Sequence, residues 1–354
     1  MRRLIFITQQ VDPGHPALAA TVPKIRALAA LVDEVVVLAD RVLPGTLPDN
    51  CRSLSFGSRT KAGRGARFQA ALAREIPQRP RPVAVVAHMC PIYAVLAAPL
   101  ARPLGVPVVL WYTQWQVSRT LRLAERLSTA VTSVDRRSFP IDSPKVVGIG
   151  HGIDVDEFPC QEPDAGTSGL LVLCLGRYSE AKGLKTMIQA VRMAVDDGVD
   201  VTLDAYGPTL SAAERAHRAD LERLVGTLGL DRHVLLHDAV LRADVPDLLR
   251  QASCLVNNMQ AGSPDKVVYE AAASCRPVLA SNPVFDELLD GLVVVLAFRR
   301  DDPADLAARI VRLAEMTPAQ RGAIGRMLRQ RVVERHSVTT WAAGVMRVVS
   351  EVAP

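Results

Sequence analysis

Two doubly wound α/β domains are what this sequence predicts, and three observations carry the expectation. Short β-branched runs alternate with helical stretches from one end of the chain to the other, and the runs are continuously apolar, as in parallel sheets covered on both faces. At 354 residues the chain exceeds what one hydrophobic core organises. A stretch without periodicity, DEFPCQEPDAGTSG (156–169), is rich in Pro, Gly and acids and reads as a linker between the halves. Residues 1–155 are then one domain and 170–335 another, leaving a cleft between the carboxyl ends of their strands, where such sheets place ligands.

In order, the first half offers strands at LIFIT (4–8), EVVVLA (34–39), SLSF (53–56), VAVVA (83–87), VVLWY (108–112), AVTSV (130–134) and KVVGI (145–149). Helical patterns such as PALAATVPKIRALAALV lie between them. The start, MRRLIFITQQV, puts cations before an apolar run too short for a signal sequence, so it is a first strand. The uncharged stretch 83–101 is long enough to span a bilayer, but its His88, Pro91 and Pro99 argue for a strand ending in a turn. The second half offers LLVLCL (170–175), VTLDAY (201–206), HVLLH (233–237), SCLVNN (253–258), PVLA (277–280) and VVVLA (293–297), separated by helices. In the tail, 336–354, Ser-Val-Thr-Thr (337–340) precedes an apolar stripe through Trp341, Val345, Val348 and Val349, the pattern of a terminal amphipathic helix.

Composition narrows the function. Apolar content of 49% with 22% charged residues describes an ordinary globular protein, and 4% aromatics disfavour a base-stacking nucleic-acid surface. Six scattered cysteines lack metal-ligand spacing, and several sit in apolar runs, so reduced core thiols and a cytoplasmic location are expected. Residues 1–155 hold 20 Lys and Arg against 10 Asp and Glu, and the remainder 22 against 27, a split of +10 and −5. The sharpest piece is RTKAGRGARFQAALAREIPQRPR (59–81), with seven bases and one acid. It is either a solvated connection with the polar face of a helix, or a surface for an anionic membrane or acidic acceptor.

GRYSEAKGL (176–184) follows LLVLCL and places Arg177 and Lys182 in a Gly-flanked turn before a helix that begins near Gly183. Cations and backbone amides at a strand-to-helix turn form an anion site, with Arg forking onto phosphate oxygens and Lys supplying a point charge. Two solvent-facing cations on a βα loop would give the same spacing. Neither GxxxxGK[ST] nor GxGxxG follows any expected strand. Further on, SCLVNNMQ reads as strand, AGSPD as turn and KVVYEAAAS as helix, with Ser263 or Asp265 as N-cap and Glu270 a turn and a half inside. That Glu is either a buried capping partner or an acceptor for ligand hydroxyls, since a carboxylate can span two vicinal hydroxyls of a ribose.

G-R-x(4)-K-G in a strand–turn–helix, followed by E-A-x-A-x-x-x-P-V, resembles the carboxyl domain of the family 4 retaining glycosyltransferases, which have the GT-B fold of two Rossmann-like domains. The resemblance spans most of the chain. KVVGIGHGIDVDEF (145–158) is similar to the interdomain segment, DAYGP (204–208) to the glycine-proline turn, and LGLDRHVLLHDAV (228–240) to the nucleotide-base strand. AHMCPIYAVLAAPLARPLGVPVVLWYTQ (87–114) resembles the amino domain of one branch. The resemblance implies that Arg177 and Lys182 bind the donor diphosphate and stabilise it as it leaves, without a metal. It implies that Glu270 binds ribose hydroxyls, that main-chain groups at Val240 meet the base, and that Gly14 lies on the acceptor side. The terminal helix would cross back onto the amino domain. The expected reaction is transfer of a sugar from a nucleoside-diphosphate donor, a uridine one for preference, to a hydroxyl acceptor: a glycan, a lipid-linked molecule or a small molecule. No cofactor and no nucleic acid are expected; peripheral contact with the inner membrane face is one of the two readings of 59–81.

Two departures stand out. The family pairs two glutamates eight positions apart; here the upstream position is Gly262, leaving Asp265, Lys266, Ser263 or main chain for the sugar. A family His after an amino-domain strand is Gln114 here, still able to donate and accept hydrogen bonds. These departures keep two rivals open: a non-catalytic sugar-nucleotide or glycan-binding protein, and a sugar-nucleotide epimerase. Of the histidines, His88 at a strand's carboxyl end is a site residue or a core residue, His151 in GHGID a turn or a cleft residue, and His15 an acceptor contact beside Gly14. None has metal-ligand spacing with another His or Cys.

Overall fold

The structure is a computed structural model that describes residues 1–15, 18–161 and 169–353. They form two compact units, Met1–Asp154 with Arg335–Pro354, and Val155–Glu334. The amino unit runs β1 (Arg3–Val11), α1 (Thr21–Ala29), β2 (Glu34–Val42), β3 (Cys51–Ser55), α2 (Lys61–Glu75), β4 (Pro82–His88), α3 (Pro91–Ala101), β5 (Val108–Trp111), α4 (Arg119–Leu127), β6 (Ala130–Ser133) and β7 (Val146–Gly148). Its seven strands lie parallel in the order β3-β2-β1-β4-β5-β6-β7. Burial on both faces explains why the central strands read as unbroken apolar runs: Leu4 to Ile7 and Val35 to Ala39 are inaccessible to solvent. One face of alternate residues, Ile5, Ile7, Val36, Leu38, Val85 and Leu110 among them, packs under Phe68 and Leu72 of α2, Ala94 and Ala97 of α3, and Leu121 and Ala124 of α4.

The carboxyl unit continues with β8 (Leu170–Leu175), α5 (Leu184–Asp196), β9 (Val201–Tyr206), α6 (Ala212–Thr227), β10 (Val234–His237), α7 (Val245–Gln251), β11 (Cys254–Asn257), α8 (Lys266–Ala273), β12 (Val278–Ala280), α9 (Val293–Leu296), α10 (Pro303–Glu315) and α11 (Pro318–His336). Its five parallel strands take the order β10-β9-β8-β11-β12. The last helix, α12 (Val338–Val352), is part of the amino unit, where it packs against α1. Trp341 anchors it: fully buried, its ring lies 5.6 Å from Trp111 edge-on, with Lys24 Nζ 4.8 Å from the Trp111 ring and 5.0 Å from the Trp341 ring. The GHGI turn receives the returning chain, His336 O accepting from Gly152 N (3.0 Å) and Ile153 N (2.7 Å). Gly150 has φ +79, and a Cβ there would sit 1.9 Å from Arg335 O, so only glycine lets the two backbones meet.

Four expectations change. VVVLA is not a strand: 293–296 is the short helix α9, and only Ala297 bridges to Ala280 at the sheet edge. Arg309 donates to Val294 O (2.7 Å) and Ala297 O (2.8 Å), holding the helical carbonyls, while Val293 and Val294 stay exposed. The cysteines are not all reduced: Cys160 and Cys275 form a disulfide across 115 residues, with Cα atoms 5.1 Å apart. Of the expected linker 156–169, residues 162–168 lie outside the described residues; the part before them is held by the carboxyl unit. Phe158 is fully buried, Arg329 donates to its carbonyl, and Arg276 donates to Gln161 O at 2.7 Å. The helix pattern expected from Pro16 starts at Thr21, and Pro16 and Ala17 also lie outside the described residues. Residues 83–101 fold as the end of β4 followed by α3, and no helix among the described residues is long and apolar enough to cross a membrane.

Candidate active site

In the carboxyl unit β8 ends at Leu175, and the turn after it is built on close approaches that demand glycine. Gly176 has φ +144, and a Cβ there would stand 2.4 Å from Lys182 Cε, so glycine lets the lysine fold back under the strand end. A Cβ on Gly207 would stand 1.9 Å from Gly176 O, so the DAYGP turn has to close with glycine too. Tyr178, fully buried, fixes the turn: its hydroxyl lies 2.9 Å from Ala205 O and 2.7 Å from His237 O. Gly183 (φ +61) is the N-cap of α5, against Asn258.

The fold sends the two cations to different partners. Lys182, with a side chain 12% exposed, pairs with Asp265 Oδ2, to which Asn257 Nδ2 also donates at 2.9 Å. Burial pulls the Lys182 ammonium down, but the Asp265 carboxylate beside it more than offsets this, so its pKa ends above the ordinary lysine value and the charge is held. Arg177 is 59% exposed, with Nη1 3.3 Å from Glu214 Oε1 at the start of α6. Asp265 occupies the N-cap position of α8 yet makes no side-chain cap, since its carboxylate is turned to Lys182 and Asn257. The first-turn amides of α8 therefore receive no carboxylate from their own cap, next to a buried ammonium.

Glu270, 4% exposed in its side chain, does not cap its own helix. Its Oε1 lies 2.8 Å from both Arg242 Nη1 and Lys266 Nζ. Neither contact is aligned as a hydrogen bond, and the oxygen is buried without one. A carboxylate oxygen held by charge but lacking a directed donor is suited to accept from a ligand hydroxyl. Arg242 was not singled out in the sequence. It also donates to Glu157 Oε2 at 2.9 Å and lies 5.0 Å over the Phe158 ring. The one signal for it is position, two residues past Val240 in the loop after the base-strand motif; Val240 itself is half-buried there.

Gly262 has a backbone reason. Its φ is +89, a conformation in which glutamate would be strained, and its N–H donates to Asn282 Oδ1 at 3.1 Å. Asn282 Nδ2 in turn donates to Gln260 O (2.8 Å) and Ser263 O (2.9 Å), fixing the turn before α8. A hollow of about 530 Å³ lies between α5 and α6, lined by Glu180, Gly183, Lys185, His217 and Asp220 among others. It includes neither Arg177, Lys182 nor Glu270, so the hollow and the carried-over residues do not coincide.

The amino-unit candidates are scattered. Gly14 N donates to Asp12 Oδ1 (2.9 Å), and His15 Nδ1 accepts from Leu18 N (3.1 Å), in the turn after β1. Gln114 is exposed, its Oε1 3.4 Å from the Tyr112 hydroxyl. His88 is 4% exposed and lies in the core, its ring 5.4 Å from Phe6 and 6.3 Å from Trp341. Neither ring nitrogen has a hydrogen-bond partner, and burial, with Lys24 and His151 adding, drives its pKa well below the usual histidine value. His151 is 7% exposed, between Gly150 and Gly152 in the turn that receives α12. Among the described residues no three His, Cys, Asp or Glu side chains converge as metal ligands.

Residues 169–316 match the family model described as Glycosyl transferases group 1, which covers β8 to α10. The carboxyl unit is a group 1 glycosyltransferase domain. The whole chain is similar in structure to HepE from Anabaena solved with UDP (TM-score 0.77, 18% identity, 99% of this chain and 100% of that one). It is also similar to sucrose-phosphate synthase from Thermosynechococcus elongatus (0.72, 17%, 99% of each) and to a UDP-forming α,α-trehalose-phosphate synthase from Burkholderia xenovorans (0.69, 17%, 100% of each). Identities this low establish the shared fold, GT-B, and not the substrates. No curated protein sequence matches the chain. In this glycosyltransferase the G-R-x(4)-K-G turn and the α8 start belong to the matched segment; Gly14, His15, His88, Gln114 and His151 fall outside it.

Proposed function

We propose that this glycosyltransferase is retaining and metal-independent, and moves a sugar from a uridine-diphosphate donor to a hydroxyl acceptor. The observation that carries the reading is the meeting of Lys182, held charged, with the uncapped start of α8 at the carboxyl ends of β8 and β11. Such a place binds a diphosphate by charge and by amide donors. As the bond between the anomeric carbon and the phosphate oxygen breaks, negative charge collects on the diphosphate. Lys182, Arg177 and the α8 amides stabilise that charge, which lowers the barrier electrostatically. The acceptor hydroxyl attacks the anomeric carbon from the face the diphosphate leaves, and its proton passes to the departing phosphate oxygen. No carboxylate nucleophile is required in this scheme. Glu270 Oε1 accepts from the ribose hydroxyls, with main chain near Val240 meeting the base. Sugar contacts fall to Ser263, Asp265 and Lys266, because Gly262 carries no side chain. HepE was also solved with UDP-glucose, and the trehalose-phosphate synthase is described as UDP-forming, which supports uridine as the base.

One observation favours a second reading, a sugar-nucleotide-binding protein without turnover: Asp265 already neutralises Lys182, and its charge stands where the diphosphate would lie. Both readings are separated by incubating the protein with UDP-sugars and an acceptor panel and following UDP release. Acceptor-dependent UDP release that Arg177→Ala abolishes, with the fold intact by circular dichroism, is the expected result. Donor binding without release under any acceptor supports the second reading. Turnover at the native rate in Arg177→Ala removes the arginine from the chemistry.

A further inference from the structure

We infer that the outer surface formed by α2, α3 and α4 docks on an anionic lipid bilayer. These three helices cover one face of the amino-unit sheet side by side, so their solvent sides form a single surface. Between Phe56 and Leu127 the chain carries eleven Lys and Arg against two acids, Glu75 and Glu125. Both acids are turned inward. Glu75 is 1% exposed and accepts from Arg52 Nη1 at 2.9 Å, and Glu125, 15% exposed, accepts from Ser143 Oγ at 2.7 Å. Within this stretch the exposed charges are of one sign: Lys61, Arg67 and Arg74 on α2, Arg102 after α3, and Arg119, Arg122 and Arg126 on α4; from outside it, Asp40 pairs with Arg64 at 3.3 Å, and Asp142 lines a hollow with Trp115, Arg136 and Arg137.

On α4 the exposed Arg119, Arg122, Leu123 and Arg126 follow the i, i+3, i+4, i+7 spacing of one helix face. The same stretch also exposes apolar side chains: Ile92 (46% exposed) at the start of α3, Trp115 (40%) and Val117 (40%) in the loop before α4, and Leu123 (45%) on α4. Arginines around exposed apolar and Trp side chains match the interface of a bilayer with anionic headgroups, where the cations meet phosphate and the apolar groups enter the acyl boundary. The surface therefore extends beyond the basic segment 59–81 that sequence alone marks out. This inference does not rest on the donor reading.

The test is co-sedimentation of the whole chain with vesicles of phosphatidylcholine alone or mixed with phosphatidylglycerol. Binding to the mixed vesicles only, falling as salt rises, is expected. Each surface cation contributes about fivefold, so an Arg119→Ala, Arg122→Ala, Arg126→Ala variant should bind about a hundredfold more weakly while melting as the native chain does. Trp111 and Trp341 are buried, so Trp115 supplies an exposed fluorophore whose emission should shift to the blue on binding. Equal binding to both vesicle types, none to either, RNA bound in preference to vesicles, native affinity in the triple variant, or unchanged Trp115 emission would each overturn the assignment.

Discussion

The two units of this chain build the same architecture and treat the carboxyl ends of their strands in opposite ways. In the carboxyl unit those ends hold a connected set of charges: Lys182 with Asp265 and Asn257, and Glu270 with Arg242 and Lys266. In the amino unit the same region around β4 and β5 is closed by apolar packing, with Trp341 of α12 laid over Trp111 and His88 left without a hydrogen bond. Polar groups are buried at each place: in the amino unit His88 and Lys24 lie against aromatic rings, and in the carboxyl unit the buried groups form charge pairs. The difference teaches that the doubly wound sheet offers a binding edge without obliging each unit to use it chemically.

The comparison breaks most visibly at Lys182. Lys182→Ala removes the buried cation and leaves Asp265 uncompensated beside the expected diphosphate. Loss of one electrostatic stabiliser in a sheltered site costs about a thousandfold in turnover, or about 4 kcal/mol of barrier. Steady-state kinetics on a variant with native circular dichroism should show that loss; a change within about tenfold would mean the phosphate chemistry lies elsewhere.

The amino unit should instead reveal itself in acid. Burial, with Arg335 adding, lowers His336 from 6.5 to about 4, and His88 is driven well below 6.5. Both stay neutral in the folded unit over a range where the unfolded chain binds a proton. Stability is therefore complete above pH 6.5 and falls as pH drops towards 4, by about 3 kcal/mol for His336 and further for His88. Melting curves from pH 7 to about pH 4 should show the loss. His88→Phe, seated between Phe6 and Trp341, should flatten part of the slope. A pH-independent melting temperature would show that these histidines accept protons where they stand.

What could be read from the sequence follows the same division. Continuous apolar strands and the G-R-x(4)-K-G turn announce themselves because strand burial and a phosphate-type loop each act over a few neighbouring residues. Arg242 and the Cys160–Cys275 bond do not, since each depends on segments brought together over long separations: 28 residues from Arg242 to Glu270, 85 from Arg242 to Glu157, and 115 between the cysteines. VVVLA misleads because an apolar run of five with three β-branched valines fits a strand until the sheet edge leaves room for one bridge, at Ala297. His88 reads as either site or core in the sequence because its burial involves α12, a helix some 250 residues later in the chain.

The finest test of the comparison is Arg242, the group that joins Glu270 to the segment around Glu157 and Phe158. If Arg242 orients the Glu270 carboxylate for ribose hydroxyls, Arg242→Ala should raise the dissociation constant for UDP about tenfold, about 1.4 kcal/mol, with the maximal rate unchanged. Lys266 remains at 2.8 Å to keep the buried carboxylate paired, so the variant should fold. Tighter UDP binding would reverse the assignment: Arg242 would then be competing with the nucleotide for Glu270, and the charge network of the carboxyl unit would be closing the site rather than preparing it.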